Sequence, residues 1–111
     1  RKKEPVGGAS RFATALKRHE DALILFSGDA YNPSLLSTVT KGSHIVPIFN
    51  LLGIHTATYG NHDFDAGLDH TFKLSKQLNF PWVLSNMHDP TTQKPLAQAV
   101  EYLIIDETSH P

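Results

Sequence analysis

Cysteine is absent from the 111 residues, which excludes both a disulfide framework and any thiolate metal site. A transition metal could be held only by His, Asp, Glu, Asn and water, a donor set that suits Mn, Mg, Fe or Zn. Long apolar runs are also missing. Ala22-Leu23-Ile24-Leu25-Phe26 is far short of the ~20 residues that cross a bilayer, so no membrane span is expected. Neither sign of charge dominates: ten Lys and Arg against eleven Asp and Glu leave a formal charge of −1. No strong field therefore directs the chain to nucleic acid or to a membrane surface. The sequence does not begin with Met, and no secretory leader is visible within it: Arg1-Lys2-Lys3 is basic, but Gly7 to Lys17 reads as a polar-flanked helix. The chain stops at Thr108-Ser109-His110-Pro111 without a closing element, so the expectation is a fragment.

What is present is ordinary for a small globular unit, with 40% hydrophobic and 19% charged residues. Seven histidines are more than this length usually carries, a hint of metal or phosphate chemistry. The loop Glu4 to Gly8 feeds a helix that Ser10 is placed to cap, with Phe12 and Leu16 on its apolar stripe. Ala22 to Phe26 reads as a buried strand, broken by the polar loop Ser27 to Pro33. Ser34 can cap a short helical segment through Leu35, Leu36 and Val39. Ser43 can cap another, carrying Ile45, Ile48, Phe49 and Leu52 and stopped at Gly53. A second strand, Ile54 to Tyr59, leads into Gly60-Asn61-His62-Asp63-Phe64-Asp65. A helix from about Gly67 to Leu78, with Leu68, Phe72, Leu74 and Leu78 inward, precedes a third strand, Trp82 to Ser85. A fourth is expected around Val100 to Ile105. Alternating helices and strands imply an α/β unit with a largely parallel sheet and helical crossovers.

In parallel sheets ligands gather at the carboxyl ends of the strands. Two strands here run into acidic, glycine-bearing loops, Gly28-Asp29 and Gly60-Asn61-His62-Asp63. If those strands are neighbours, about 4.8 Å apart, Asp29 and Asn61 could reach one metal ion. A carboxylate such as Asp29 can bridge two divalent cations, and the amide oxygen of Asn61 is a neutral, hard ligand for one of them. His62, beside the ions, can stabilise phosphoryl oxygens or protonate a leaving group, and Asp65 is the natural carboxylate to fix its tautomer. Each feature alone has a plainer reading. Gly-Asp after a strand is ordinarily a turn, Gly-Asn-His-Asp can be one, and Asp65 can cap the following helix. His19, His44, His55, His70, His88 and His110 lack such context and read as surface or structural residues. Asn32, Ser34 and Asn86 read as turn and cap residues.

The pair of loops, with 33 positions from Asp29 to His62, resembles the calcineurin-like metallophosphoesterases, whose middle motifs are Gly-Asp and Gly-Asn-His-Asp/Glu. Gly7-Gly8-Ala9-Ser10-Arg11, Gly60 to Gly67 and Phe80 to Asn86 look like the 5′-nucleotidase branch, and the similarity runs from about Gly7 to Met87. It implies a partial metallophosphoesterase sandwich lacking its first strand and its C-terminal half, a fragment of a single catalytic domain. It implies two divalent metal ions (Mn, Zn, Fe or Mg), with Asp29 bridging them and Asn61 on the second. His62 would be the phosphate-stabilising histidine and Asp65 its partner. The family's Asp-x-His pair, its later lone His and its Gly-His-x-His pair have no counterpart here. The implied reaction is hydrolysis of a small phosphorylated substrate, a nucleotide or a sugar phosphate, by metal-activated hydroxide. Alternatives are a sugar-phosphate or glycosyl-phosphoglycerate phosphatase and a non-catalytic remnant or binding module. The chain alone is expected to be inert, to bind Mn²⁺ weakly and to be marginally stable; the cytoplasm is slightly favoured as its compartment.

Overall fold

The computed structural model describes residues 4–106. Three short strands, β1 (Leu25–Phe26), β2 (Thr56–Thr58) and β3 (Trp82–Val83), form a parallel sheet in the order β1-β2-β3. Leu25 is opposite Thr56 and Ala57 opposite Trp82, so each strand lies beside the next in sequence. Helix α1 (Ala9–Lys17) precedes β1. Helices α2 (Ser37–Thr40) and α3 (Ile45–Phe49) cross from β1 to β2, and α4 (Leu68–Ser75) crosses from β2 to β3. The expected α/β architecture with helical crossovers is therefore present.

The strands are shorter than the apolar runs that announce them, and just before β1 and β2 a side chain takes part in the hydrogen bonding. The N–H of Ile24 donates to the His55 ring at Nδ1 (3.0 Å), and His55 N–H returns to Ile24 O (2.9 Å). His55 is thus a structural histidine. The fourth strand around Val100 to Ile105 does not form. Val100 makes a single bridge to Val83, donating to Trp82 O and accepting from Leu84 N–H, after which Tyr102 and Ile104 turn out to solvent.

The core fills one side of the sheet. Phe49 and Leu52 from the first crossover and Leu74 and Leu78 from the second pack with Ile54, Ala57, Tyr59, Phe80 and Trp82. Burial of this kind contributes about 25 cal/mol per Å² of apolar surface removed from water. Three expectations change here. Helix α1 starts after Gly8, not at Ser10, and buries no residue fully, so Phe12 stays 55% exposed. Leu35, Leu36 and Val39 are exposed, because α2 is only four residues long and turns Ser37 inward instead. On α4 the buried positions are Thr71 and Leu74, while Leu68 is 39% exposed. Thr71 takes the inward place because its hydroxyl donates to Asp63 O (2.5 Å), so a polar side chain is buried with its hydrogen bond made.

Candidate functional site

Parallel pairing of β1 with β2 brings the two glycine-bearing loops to the same edge of the sheet. They meet at Gly28 and Gly60. A Cβ placed on Gly28 would lie 2.4 Å from Gly60 N, and one on Gly60 would lie 2.2 Å from Asp29 Oδ1. Only glycine permits that approach, and Gly28 also holds φ +106°, a conformation other residues rarely adopt. Asp29 follows in the left-handed region at φ 59°. Its carboxylate lies over Gly60 and accepts the His62 backbone N–H at Oδ1 (3.0 Å).

The residue that joins the loops is Asp63. It is 2% exposed, and its carboxylate accepts N–H groups from both loops: Tyr31 at Oδ1 (2.9 Å), Asp29 and Gly60 at Oδ2 (2.9 and 2.8 Å). Burial pushes its carboxyl above the usual range, while the backbone N–H groups of Tyr31, Gly60, Asp29 and Ala30 pull it down. Sequence reasoning named Asp63 only as part of a motif. Its position three residues after Gly60, within the 3₁₀ turn Asn61–Phe64, is the signal that could have found it.

His62 Nδ1 and Asp65 Oδ2 are 2.8 Å apart. Asp65 is an acceptor, so the imidazole carries its proton on Nδ1 and leaves Nε2 for another partner. His62, Asp65, Asn32, Ser37, Lys41 and His70 border a cavity of about 420 Å³. Asn61 is exposed and borders a different one, of about 610 Å³, with Tyr59, Phe64, Asn86 and Met87. The two neighbours in sequence thus face different spaces, with Asp29 bonded at the turn between the loops. Of the other histidines, His44 meets Thr40 Oγ1 (2.6 Å), His70 meets Lys41 O (2.8 Å) and His88 meets Glu101 (3.0 Å). His110 lies outside the described residues.

The His62–Asp65 hydrogen bond raises the pKa of His62 above the ordinary 6.5 and lowers that of Asp65, with Asn32 adding to the second effect. The sign follows from charge: the carboxylate favours imidazolium, and imidazolium favours carboxylate. By NMR, His62 in this chain should titrate above a free histidine and fall back in Asp65→Asn. A wild-type midpoint at or below that of free histidine would contradict the pairing.

Asp29 and Asn61 offer hard oxygen donors of the kind that divalent cations take, and the Asp29 carboxylate occupies the space that a side chain on Gly60 would fill. Among the described residues no group of three or more His, Cys, Asp or Glu side chains is placed to hold a metal. The donors present fit part of a centre.

No protein-family model matches the chain. Individual proteins do. The 5′-nucleotidase of Bos taurus is 34% identical over 103 residues, covering 88% of this chain and 17% of that protein. The snake venom 5′-nucleotidase of Gloydius brevicauda is 35% identical over 86 residues, 73% of this chain and 15% of that protein. The solved structure of the NAD nucleotidase from Haemophilus influenzae superposes with a TM-score of 0.66 at 33% identity, covering 78% of this chain and 18% of that one. The chain therefore spans less than a fifth of the length of the relatives it matches. Sheet, loops and relatives together define an α/β segment of metallophosphoesterase type. Within that class the segment is 5′-nucleotidase-like.

Proposed function

We propose that this chain supplies part of the active centre of a metal-dependent phosphomonoesterase acting on 5′-nucleotides. The observation that carries the reading is the meeting of Asp29 with the His62–Asp65 pair at the carboxyl edge of the sheet. Similarity to 5′-nucleotidases over most of the chain supports it. Asp29 would hold two divalent ions and Asn61 one of them. When bound, such ions supply an activated water nucleophile and neutralise charge on the transferred phosphoryl group. His62 would place its Nε2 against a phosphoryl or leaving-group oxygen, with Asp65 holding Nδ1 and so fixing which nitrogen faces the substrate. The chain alone, with two ligand side chains, binds Mn²⁺ weakly and is inactive.

The test is hydrolysis of p-nitrophenyl phosphate and AMP, with Mn²⁺, by the full-length open reading frame that contains this chain. Loss of one charge-stabilising group in a site of this kind costs on the order of 100-fold or more, and Asp29→Asn should fall in that range. Activity that survives Asp29→Asn, or a folded, metal-supplemented protein with none, would contradict the reading. Faster turnover of a sugar phosphate than of AMP would move the substrate class and leave the chemistry in place.

A further inference from the structure

Behind the His62–Asp65 pair the structure holds two side chains that the proposed chemistry does not use. Asn32 donates from Nδ2 to Asp65 Oδ2 (2.5 Å), the same oxygen that meets His62 Nδ1. Ser37, the inward residue of α2, is 4% exposed and donates from Oγ to Asn32 Oδ1 (2.6 Å). Ser37 is itself fixed by the loop before it: Ser34 N–H donates to Ser37 Oγ (2.8 Å), and Ser37 N–H donates to Ser34 Oγ (2.9 Å). A run of bonds thus passes from a buried hydroxyl through a half-buried amide to the exposed carboxylate and the imidazole.

The direction of each bond matters. A carboxamide has one accepting and one donating end, and turning it over reverses both. The Asp65 carboxylate only accepts, so Nδ2 of Asn32 must face it and Oδ1 faces inward, where Ser37 Oγ, with Ser34 O (2.8 Å) as its other acceptor, makes its shorter contact. Asp65 sits on the surface at the end of a turn, where a lone carboxylate would sample several rotamers. With Asn32 on Oδ2, the rotamer that meets His62 Nδ1 is the one held.

We propose that Asn32 is a positioning residue for the His62–Asp65 pair and that Ser37 is its anchor, the two fixing the Asp65 carboxylate so that His62 keeps its Nδ1–H form. The role of His62 toward phosphate rests on the function proposed above; the positioning itself is a property of this chain and can be read without substrate or metal.

The experiment is a long-range ¹H–¹⁵N correlation on the ¹⁵N-labelled chain, at a pH where the His62 ring is neutral. Free histidine favours the Nε2–H tautomer; here His62 should show mainly Nδ1–H. Asn32→Asp keeps size and shape but presents an oxygen to Asp65, so the Nδ1–H share should fall toward that of free histidine. Asn32→Ala, which adds no volume and no charge, should do the same and stands in if Asn32→Asp does not fold. Ser37→Ala should lower the share in part, and Ser37→Thr, which keeps the hydroxyl, should restore it. An unchanged ring in the folded Asn32 variants overturns the proposal; an unchanged ring in Ser37→Ala removes Ser37 from it. In the full-length enzyme, loss of such an outer hydrogen-bond partner should cost about 10-fold in kcat with KM little changed. If that enzyme proves inactive the phosphomonoesterase reading fails, while the tautomer measurement still decides the positioning.

Discussion

Asp63→Ala should lower the unfolding free energy by about 3 kcal/mol or more. The carboxylate accepts from three backbone donors, the N–H groups of Asp29, Tyr31 and Gly60, contributed by two loops that are distant in sequence. A buried donor left without a partner costs about 1–3 kcal/mol, and water reaches Tyr31 N–H least of the three. A domain of this size has only about 5–15 kcal/mol of net stability. Asp63→Asn should rescue little, because its amide nitrogen would face N–H groups on one side. Urea unfolding followed by circular dichroism measures the effect, and a midpoint within experimental scatter of wild type would show that the carboxylate does not tie the loops. His62→Ala, which leaves every one of these bonds in place, should change the midpoint far less.

Gly28→Ala should be comparably damaging, for a steric reason. Its Cβ would sit 2.4 Å from Gly60 N and 2.8 Å from Gly60 Cα, on a backbone at φ +106°. Overpacking of this sort costs about 1–3 kcal/mol, and a disfavoured backbone region adds about 1–3 kcal/mol. The obstructing atoms are backbone, so no side-chain rotation relieves them. Gly53 separates the two contributions: it also has positive φ, 73°, but open space around it. Gly53→Ala should therefore show the conformational cost alone. Equal urea midpoints for Gly28→Ala and Gly53→Ala would mean that the contact between the loops is not tight.

The sequence made the layout legible because its signals are local. Apolar runs bounded by Gly, Asn and Pro mark the three strands, and a parallel arrangement follows from the helices between them. Placement of both loops at one edge follows in turn, and the Asp65 spacing from His62 suits a bond across one turn. What was not legible depends on contacts between distant segments. Asn32 looks like any loop residue until Asp65, 33 positions on, is placed beside it. Asp63 is only one residue of a motif until the first loop brings two N–H groups to it. Thr71 looks like a polar interruption of an apolar stripe, yet it is inside because Asp63 O offers its hydroxyl an acceptor, while Leu68 is left at the surface. The strand expected near Val100 failed for the converse reason: an apolar run forms a strand only along the length for which a neighbour is available.

Trp82 is the one tryptophan in the sequence. Its ring stacks on Tyr59 at 4.2 Å with 6° between planes, and tilts against Tyr31 at 5.7 Å. Tyr59 immediately precedes Gly60, and Tyr31 stands two residues beyond Asp29, so the indole rests beneath both loops at once. Phe80 tilts against the ring at 5.7 Å as well, so the indole, 5% exposed, lies among aromatic side chains. The protein therefore contains its own fluorophore, seated where the loops meet. A parting of the loops, or the ion binding proposed at Asp29, should alter the ring's neighbours and show as a change in emission without an added label.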